Sequence, residues 1–339
     1  MALLYMDGFD AQDVLLRGWM SGGANITYDG GTRWGTGSAL HYWTGGGQSF
    51  IQHRFPASTK TVIGFAIKMT NAGVAQNETF LMGDTGSTVH LTIQRWTSNT
   101  VRLTRGDPNA GGTVLATSAG GVWDNNWHYM EISATIADSG GTCIIHMDNT
   151  EVINFTGDTK NGGTNSSLDT FASSVYSGND FVLDDLYILD GTGSAPWNDF
   201  LGDSRIHTLV PTGAGSNTQL TPSTGANWSC VDELPYSTSD YVTSSTAGQK
   251  DTYATSDLPG TVGTVYGVQL NAIAKKTDAG SRALKTTIRR GSTDYSDSTA
   301  TNLASGDVTL SSLRTLDPST SAQWTTTNVN AMEIGVEVA

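Results

Sequence analysis

The sequence predicts an all-β chain of two β-sandwich domains. Three observations carry this. Apolar and polar residues alternate at period two in many short segments, as a strand with one buried face requires. Clusters of Gly, Asp, Asn, Pro and Ser separate those segments. No stretch of ten or more residues carries a helical pattern.

The clearest strand starts at Trp127-His128-Tyr129-Met130-Glu131, where Met130, Ile132, Ala134 and Ile136 alternate with Tyr129, Glu131, Ser133 and Thr135. Before it, Ile63, Phe65, Ile67 and Met69 alternate with Val62, Gly64, Ala66 and Lys68. Val89, Leu91 and Ile93 form a second strand, and Val101 and Leu103 a third. Turn chemistry at 83–86, 97–99 and 106–112 punctuates them. After it, Asp148-Asn149 divides Cys143–Met147 from Glu151–Phe155, which predicts a tight hairpin. Phe181–Asp190 closes this half, and the Gly/Pro-containing stretch from Gly191 leads into a linker. The predicted boundaries are a first domain over 1–195, a linker over 196–203 and a second domain over 204–339. In the second domain Tyr266, Val268, Leu270, Ala272 and Ala274 alternate with Gly267, Gln269, Asn271 and Ile273. Thr277–Gly280 reads as a turn, with Leu284–Arg290 returning as the paired strand. Met332–Val338 is a final strand, expected inside a sheet because a terminal strand needs pairing to stay ordered.

Composition agrees. The 339 residues suit two cores better than one. Gly supplies 40 of them, and charged residues only 15%, against a usual share of ~25%. Nine Trp, eleven Tyr and nine Phe supply core material that a disordered chain would lack. The formal net charge is −14, and both halves are acidic. Nucleic-acid binding through phosphate neutralisation is therefore not expected. No apolar run approaches a membrane span. Met1–Asp10 has neither a basic region nor a long apolar stretch, so no signal peptide is expected. The two cysteines, Cys143 and Cys230, fall in different domains and imply no disulfide framework.

The strand led by Trp127–Glu131, the hairpin Met147-Asp148-Asn149-Thr150-Glu151-Val152 and the closing Leu183-Asp184-Asp185-Leu186-Tyr187 resemble, in order and spacing, the laminin-G-like, concanavalin A-like jelly-roll family. The resemblance covers about residues 1–195. Met6-Asp7-Gly8-Phe9-Asp10, Phe200-Leu201-Gly202-Asp203, Leu209–Gly213, Val265–Gln269 and Glu333–Val338 are similar to segments of tailed-bacteriophage virion structural proteins. That second resemblance implies a particle component made in the host bacterial cytoplasm. It would be tail-associated, head-decorating or part of a fibre, and would pack against other virion proteins as a trimer or higher homo-oligomer.

Chemistry is sparse. Glycoside hydrolysis usually needs two carboxylates flanking the scissile bond, and related hydrolases carry Glu-x-Asp-x-x-Glu, which is absent here. The six Glu include only one, Glu131, on an outward strand face near a plausible concave surface, and it lacks a partner two residues away. It reads as a solvated strand residue, and no catalytic residue is assigned. Asp184 and Asp185 are weak candidates for a calcium site at the sandwich rim. Adjacent strand residues face opposite sides, so a shared site would need a bulge. None of the six His shows zinc-ligand spacing, and His128 reads as packed or hydrogen-bonded. Nucleophile-elbow and phosphate-loop strings are absent. Of the aromatics Trp19, Trp34, Tyr42, Trp43, Trp96 and Trp123, the candidates for stacking a glycan are Trp96, Trp43 and Tyr42. The expected function is thus non-enzymatic assembly into a virion. A carbohydrate-binding module contacting host glycans is the alternative, and a depolymerase the third reading.

Overall fold

The computed structural model describes residues 3–22, 25–29, 32–35, 37–43, 48–69, 79–84, 88–176 and 180–339. The chain divides into two compact units, 1–206 and 207–339. The segment read as a linker, 196–203, therefore belongs to the first unit. Part of the turn predicted at 83–86 lies outside the described residues.

The first unit contains β1 (Leu3–Asp7), β2 (Trp19–Gly22), β3 (Asn25–Asp29), β4 (Ala39–Trp43), β5 (Gln48–Ser58), β6 (Lys60–Met69), β7 (Thr79–Gly83) and β8 (Val89–Trp96). It continues with β9 (Thr100–Arg105), β10 (Thr113–Thr117), β11 (Trp127–Thr135), β12 (Gly141–Met147), β13 (Thr150–Gly157), β14 (Leu168–Tyr176) and β15 (Asp180–Asp190). An eight-stranded sheet runs β13-β12-β11-β6-β15-β4-β3, with β1 also on β15. A seven-stranded sheet runs β10-β9-β8-β7-β14-β5-β2. All pairings are antiparallel.

The alternation read from the sequence sets which side chains face inward. Ile132 sits opposite Ile63 on one side and Ile145 on the other. The seven-stranded sheet answers with Phe80, Leu91, Ile93, Val101, Leu103 and Phe171, all in the same core. Phe65 bridges the layers, with its ring 4.9 Å from Phe80 and 5.4 Å from Phe171. The fold is a β-sandwich. The predicted hairpin is present: Met147 faces Thr150, while Asp148 and Asn149 take φ of 51° and 62°. These are the two left-handed positions of a type I′ turn, which Asp and Asn tolerate.

The second unit contains β16 (Pro211–Thr218), β17 (Thr221–Pro222), β18 (Val242–Thr243), β19 (Lys250–Thr255), β20 (Val268–Ala274), β21 (Ala283–Arg290) and β22 (Thr293–Ser296). It ends with β23 (Thr301–Asn302), β24 (Val308–Arg314), β25 (Leu316–Asp317), β26 (Ala322–Gln323), the short helix α1 (Thr326–Asn330) and β27 (Met332–Val338). A six-stranded sheet runs β16-β19-β27-β21-β22 with β23 on β21, so the final strand is interior as expected. The expected pairing of 284–290 with 266–274 is not formed. β21 pairs with β27, and β20 pairs with β24. The reason is layering: Ile288 of β21 meets Val268 and Leu270 of β20 across a core with Trp324, Val329 and Met332, rather than beside them in one sheet. Cys143 and Cys230 are buried free thiols.

Candidate functional site

The outward face of the eight-stranded sheet is covered by the segment that follows β15. Glu131, expected to be solvated, is 1% exposed. The Tyr187 hydroxyl donates to Glu131 Oε1, and the Gly202 N–H donates to the same oxygen at 2.9 Å. Leu201 N–H in turn donates to the Tyr187 hydroxyl at 3.1 Å, and the Phe200 ring lies 4.2 Å from His146. Burial raises the Glu131 pKa, against the opposing effect of these donors. Gly64 makes room for the arrangement, since a Cβ there would lie 2.3 Å from the Tyr187 ring. Glu131 thus anchors the chain passing over it and presents no free carboxylate to a substrate.

Asp184 and Asp185 sit where β15 bulges. Asp184 is opposite Ala66, but Tyr187 rather than Leu186 is opposite Gly64, and Asp185 takes φ of 51°. The extra residue resets the alternation, so Leu183 and Leu186 both face the core. Asp184 Oδ1 accepts the Asp185 N–H at 2.8 Å. Asp185 accepts Ile206 N–H at 2.7 Å and Trp34 Nε1–H at 2.7 Å, with Arg33 Nη1 3.5 Å away. N–H donors and a guanidinium thus fill the surroundings of Asp185, where a cation would be repelled, and the pair does not fit calcium. Among the described residues no group of three or more His, Cys, Asp and Glu is placed to hold a metal ion. Burial, and then the neighbouring Asp185 charge, push the Asp184 pKa up to about 8. Burial also raises Asp185.

The outward face of the seven-stranded sheet is built differently. Its inward residues are fixed by the core, so Thr92, Gln94 and Trp96 of β8, Thr100, Arg102 and Thr104 of β9, and Ala172 and Ser174 of β14 face outward. Thr92 and Ala172 flank the half-buried Leu81 of β7 on the middle strands. Exposed Met20 and Phe50 stand on one flank, and Trp96, Arg102 and exposed Val114 on the other. We term the stretch between these flanks the trough; along it Thr92, Gln94, Thr104 and Ser174 are almost fully buried. Register places Gln94 opposite Arg102 and Trp96 opposite Thr100, making Trp96 and Arg102 diagonal neighbours. The Arg102 guanidinium carbon lies 3.8 Å from the Trp96 ring centroid. The Arg102 side chain forms no hydrogen bond or ion pair among the described residues, and its buried Nε lacks a partner. Gln94 Oε1 and Thr104 Oγ1 beside it are likewise buried without a partner. Buried polar atoms are normally satisfied; these three are neighbours in the register, and other such atoms occur elsewhere among the described residues.

The three aromatic candidates do not share a sheet. Trp96 is on β8, whereas Tyr42 and Trp43 are on β4 of the other sheet, and their side chains lie outside the described residues. Trp34, 43% exposed, stands between the guanidiniums of Arg33 and Arg205, each 4.7 Å from its ring. Trp19 and Trp123 are core residues. His128 is hydrogen-bonded at both ring nitrogens, to Asp148 at 2.7 Å and Asp124 at 3.0 Å. No helix among the described residues is long and apolar enough to cross a membrane. Sequence reasoning missed Arg102 and Gln94. The signal was available in the short turn 97–99, because closing β8 onto β9 there fixes Trp96 against Thr100 and brings Arg102 to the indole.

No family model matches the chain, and no curated protein matches it. Solved structures do. One is a sialidase, 9% identical over 57% of this chain with a TM-score of 0.41, of which this chain spans 19%. A carbohydrate-binding module from Bacillus subtilis is 16% identical, covering 51% of this chain and 95% of its own, with a TM-score of 0.36. A carbohydrate esterase from a Shiga toxin-encoding bacteriophage is 14% identical, covering 56% of this chain and 96% of its own, with a TM-score of 0.39.

Proposed function

We propose that the first unit is a carbohydrate-binding module and that the outward trough of the seven-stranded sheet holds the sugar. The observation that carries this is the half-buried pair Trp96 and Arg102, an indole against a guanidinium whose side chain has no hydrogen bond or ion pair among the described residues. Sugars present both an apolar C–H face and a fringe of hydroxyls. Recognition therefore needs an aromatic surface beside hydrogen-bonding groups not already spent on each other. On the opposite sheet such groups are consumed internally by Glu131, Tyr187 and Gly202.

Binding of the full chain to an immobilised glycan array tests the reading. Saturable binding that is lost in Trp96→Ala is expected. No binding to any glycan would overturn it. The reading is non-enzymatic, because Glu131 is buried and engaged. Release of reducing ends from capsule or peptidoglycan, abolished by Glu131→Gln, would reverse that part.

One observation favours the second reading, a structural component of a phage virion. In the second unit Val231, Leu234, Tyr236 and Tyr241 are exposed within one short stretch of chain, and exposed apolar and aromatic residues of this kind anchor protein interfaces. Co-purification with intact particles, weakened by Tyr236→Ser with Tyr241→Ser, would support it. The two readings are compatible, since they use different units.

A further inference from the structure

The two sheets of the first unit differ in charge, and the difference runs against the acidity of the chain. Strands of the eight-stranded sheet carry Asp7, Asp29, Glu131, Glu151, Asp180, Asp184, Asp185 and Asp190 against only Lys60 and Lys68. Strands of the seven-stranded sheet carry Arg54, Arg95, Arg102 and Arg105 against Asp169 alone. In a chain of net charge −14, the sheet that forms the trough is locally basic.

Two of those arginines have carboxylate or side-chain amide partners within the unit. Arg105 pairs with Asp158, and Arg95 reaches Asn99 Oδ1 at 3.4 Å. The other two have no ion pair among the described residues, and both face outward: Arg102 on β9 and the exposed Arg54 on β5, four strands away across the trough. Arg102 is also held in place. Its guanidinium lies against Trp96 at 3.8 Å, its Nε is enclosed, and only the terminal nitrogens are left to meet a ligand. Guanidinium stacked on indole is preorganised. Its two terminal N–H groups then match the two oxygens of a carboxylate or sulfate with little further loss of side-chain freedom. With Arg102 covering part of the ring, Trp96 is no bare stacking platform but the support for a cationic fork.

We propose, building on the glycan-binding reading, that the trough selects an anionic glycan, a sugar carrying a carboxylate or a sulfate, and that Arg102 receives the acidic group. Gln94, directly opposite in the register, and Thr104 are almost fully enclosed beside it, so the acidic group is met by the terminal nitrogens of Arg102. Arg54 meets a second acidic unit further along the same polymer. Two isolated cations in an otherwise acidic protein suit a ligand with spaced charges. They do not suit a phosphate backbone with charge at every step.

The test uses the full chain and titrates four probes: oligogalacturonate (carboxylate), chondroitin sulfate oligosaccharide (sulfate), and maltohexaose and laminarihexaose (neutral). Acidic probes should bind about tenfold or more tightly than neutral ones, the ratio a charge-assisted bidentate pair supplies. That advantage should shrink with added salt. Arg102→Gln should remove the preference, while Arg102→Lys keeps the charge but loses the fork and retains only part of it. Unchanged far-ultraviolet circular dichroism and tryptophan emission check that each variant is folded. Arg54→Gln should weaken long acidic oligomers more than short ones. Preference for carboxylate over sulfate, or the reverse, identifies the acidic group. Equal binding of neutral and acidic probes, unaltered by Arg102→Gln, would overturn this inference and leave the glycan reading standing. Failure of every probe and of the wider glycan array would overturn both.

Discussion

The buried acids of β15 tie the stability of the first unit to pH, with a sign opposite to that of most folded proteins. Asp184 has a pKa pushed up to about 8 by burial and by the charge of Asp185. In the unfolded chain an Asp ionises near 3.9. A group whose folded pKa lies above its unfolded value contributes its full stability below the unfolded pKa. That contribution is lost as pH rises through the folded pKa. Between pH 7 and 8 the unfolded state holds no proton on this group, whereas the folded state is still losing one. Integrating the proton difference over that unit gives a fall of about 1 kcal/mol. Histidines do not confuse this window. Burial lowers both His53, to about 4, and His90, so the little titration left to them above pH 7 is in the unfolded chain and acts with the opposite sign to Asp184. Carboxylates with depressed pKa, such as Asp294 and Glu333, are fully ionised there. The assay is urea unfolding of the full chain at pH 7.0, 7.5 and 8.0, followed by tryptophan emission. Seven of the nine Trp lie in 1–206, so this signal reports mainly the first unit. Asp184→Asn should flatten the profile. A wild-type stability that is constant or rising over this range, or a fall of equal size in Asp184→Asn, would refute the reasoning.

Three further outcomes follow from other packed groups. Gly64→Ala should destabilise the first unit by about 1–3 kcal/mol, because the added methyl meets the Tyr187 ring at 2.3 Å; the urea midpoint measures it. Glu131→Ala should speed hydrogen exchange at the Gly202 amide by about tenfold or more, since its 2.9 Å acceptor is removed; unchanged exchange would show that the segment is held by other contacts. In the second unit the fully buried Asp251 accepts from Gln219 N–H at 2.6 Å, Leu220 N–H at 2.8 Å and Tyr253 hydroxyl at 3.0 Å. Asp251→Ala should cost about 1–3 kcal/mol for each buried donor left without an acceptor and open the 219–231 segment to limited proteolysis.

Features set by neighbours along the chain were legible in the sequence. The hairpin at 148–149 follows from two residues that tolerate positive φ between alternating strands. The inward set Met130, Ile132 and Ala134 follows from period two. Features set by distant chain were not. Alternation says that Glu131 faces away from the core, but not that Gly202, seventy-one residues later, returns to cover it. For the same reason 196–203 read as a linker: its polar backbone is satisfied by Tyr187 and Glu131, partners that no local pattern reveals. The β15 bulge was anticipated only as a condition for Asp184 and Asp185 to share a side. The sequence 183–186 does not itself say which residue is the extra one. The partner of β20 was misread because sequential strands often pair, whereas here each belongs to a different layer.

The division of charge between the sheets leads to a last expectation, that affinity and stability respond differently to pH. Glu131, Asp184 and Asp185, whose pKa values are raised, lie on the covered face, where they meet Arg33, Tyr187 and backbone N–H groups. The trough face carries Arg54 and Arg102, and arginine as a residue type stays cationic in proteins. His90 points to the same face from the other end of β8, but burial lowers its pKa, and its Nδ1 accepts the Asn161 N–H at 3.1 Å, so it stays neutral. A uronate or sulfate ligand is fully ionised across the neutral range. Affinity for an acidic oligosaccharide should therefore be flat between pH 6.5 and 8, while the urea midpoint of the same preparation falls from pH 7 to 8. Isothermal titration at three pH values beside the unfolding series would check it. If affinity instead fell in step with stability, the ligand would be bound through the covered acidic face and its Trp34–Arg33–Arg205 cluster. The trough would then not be the site.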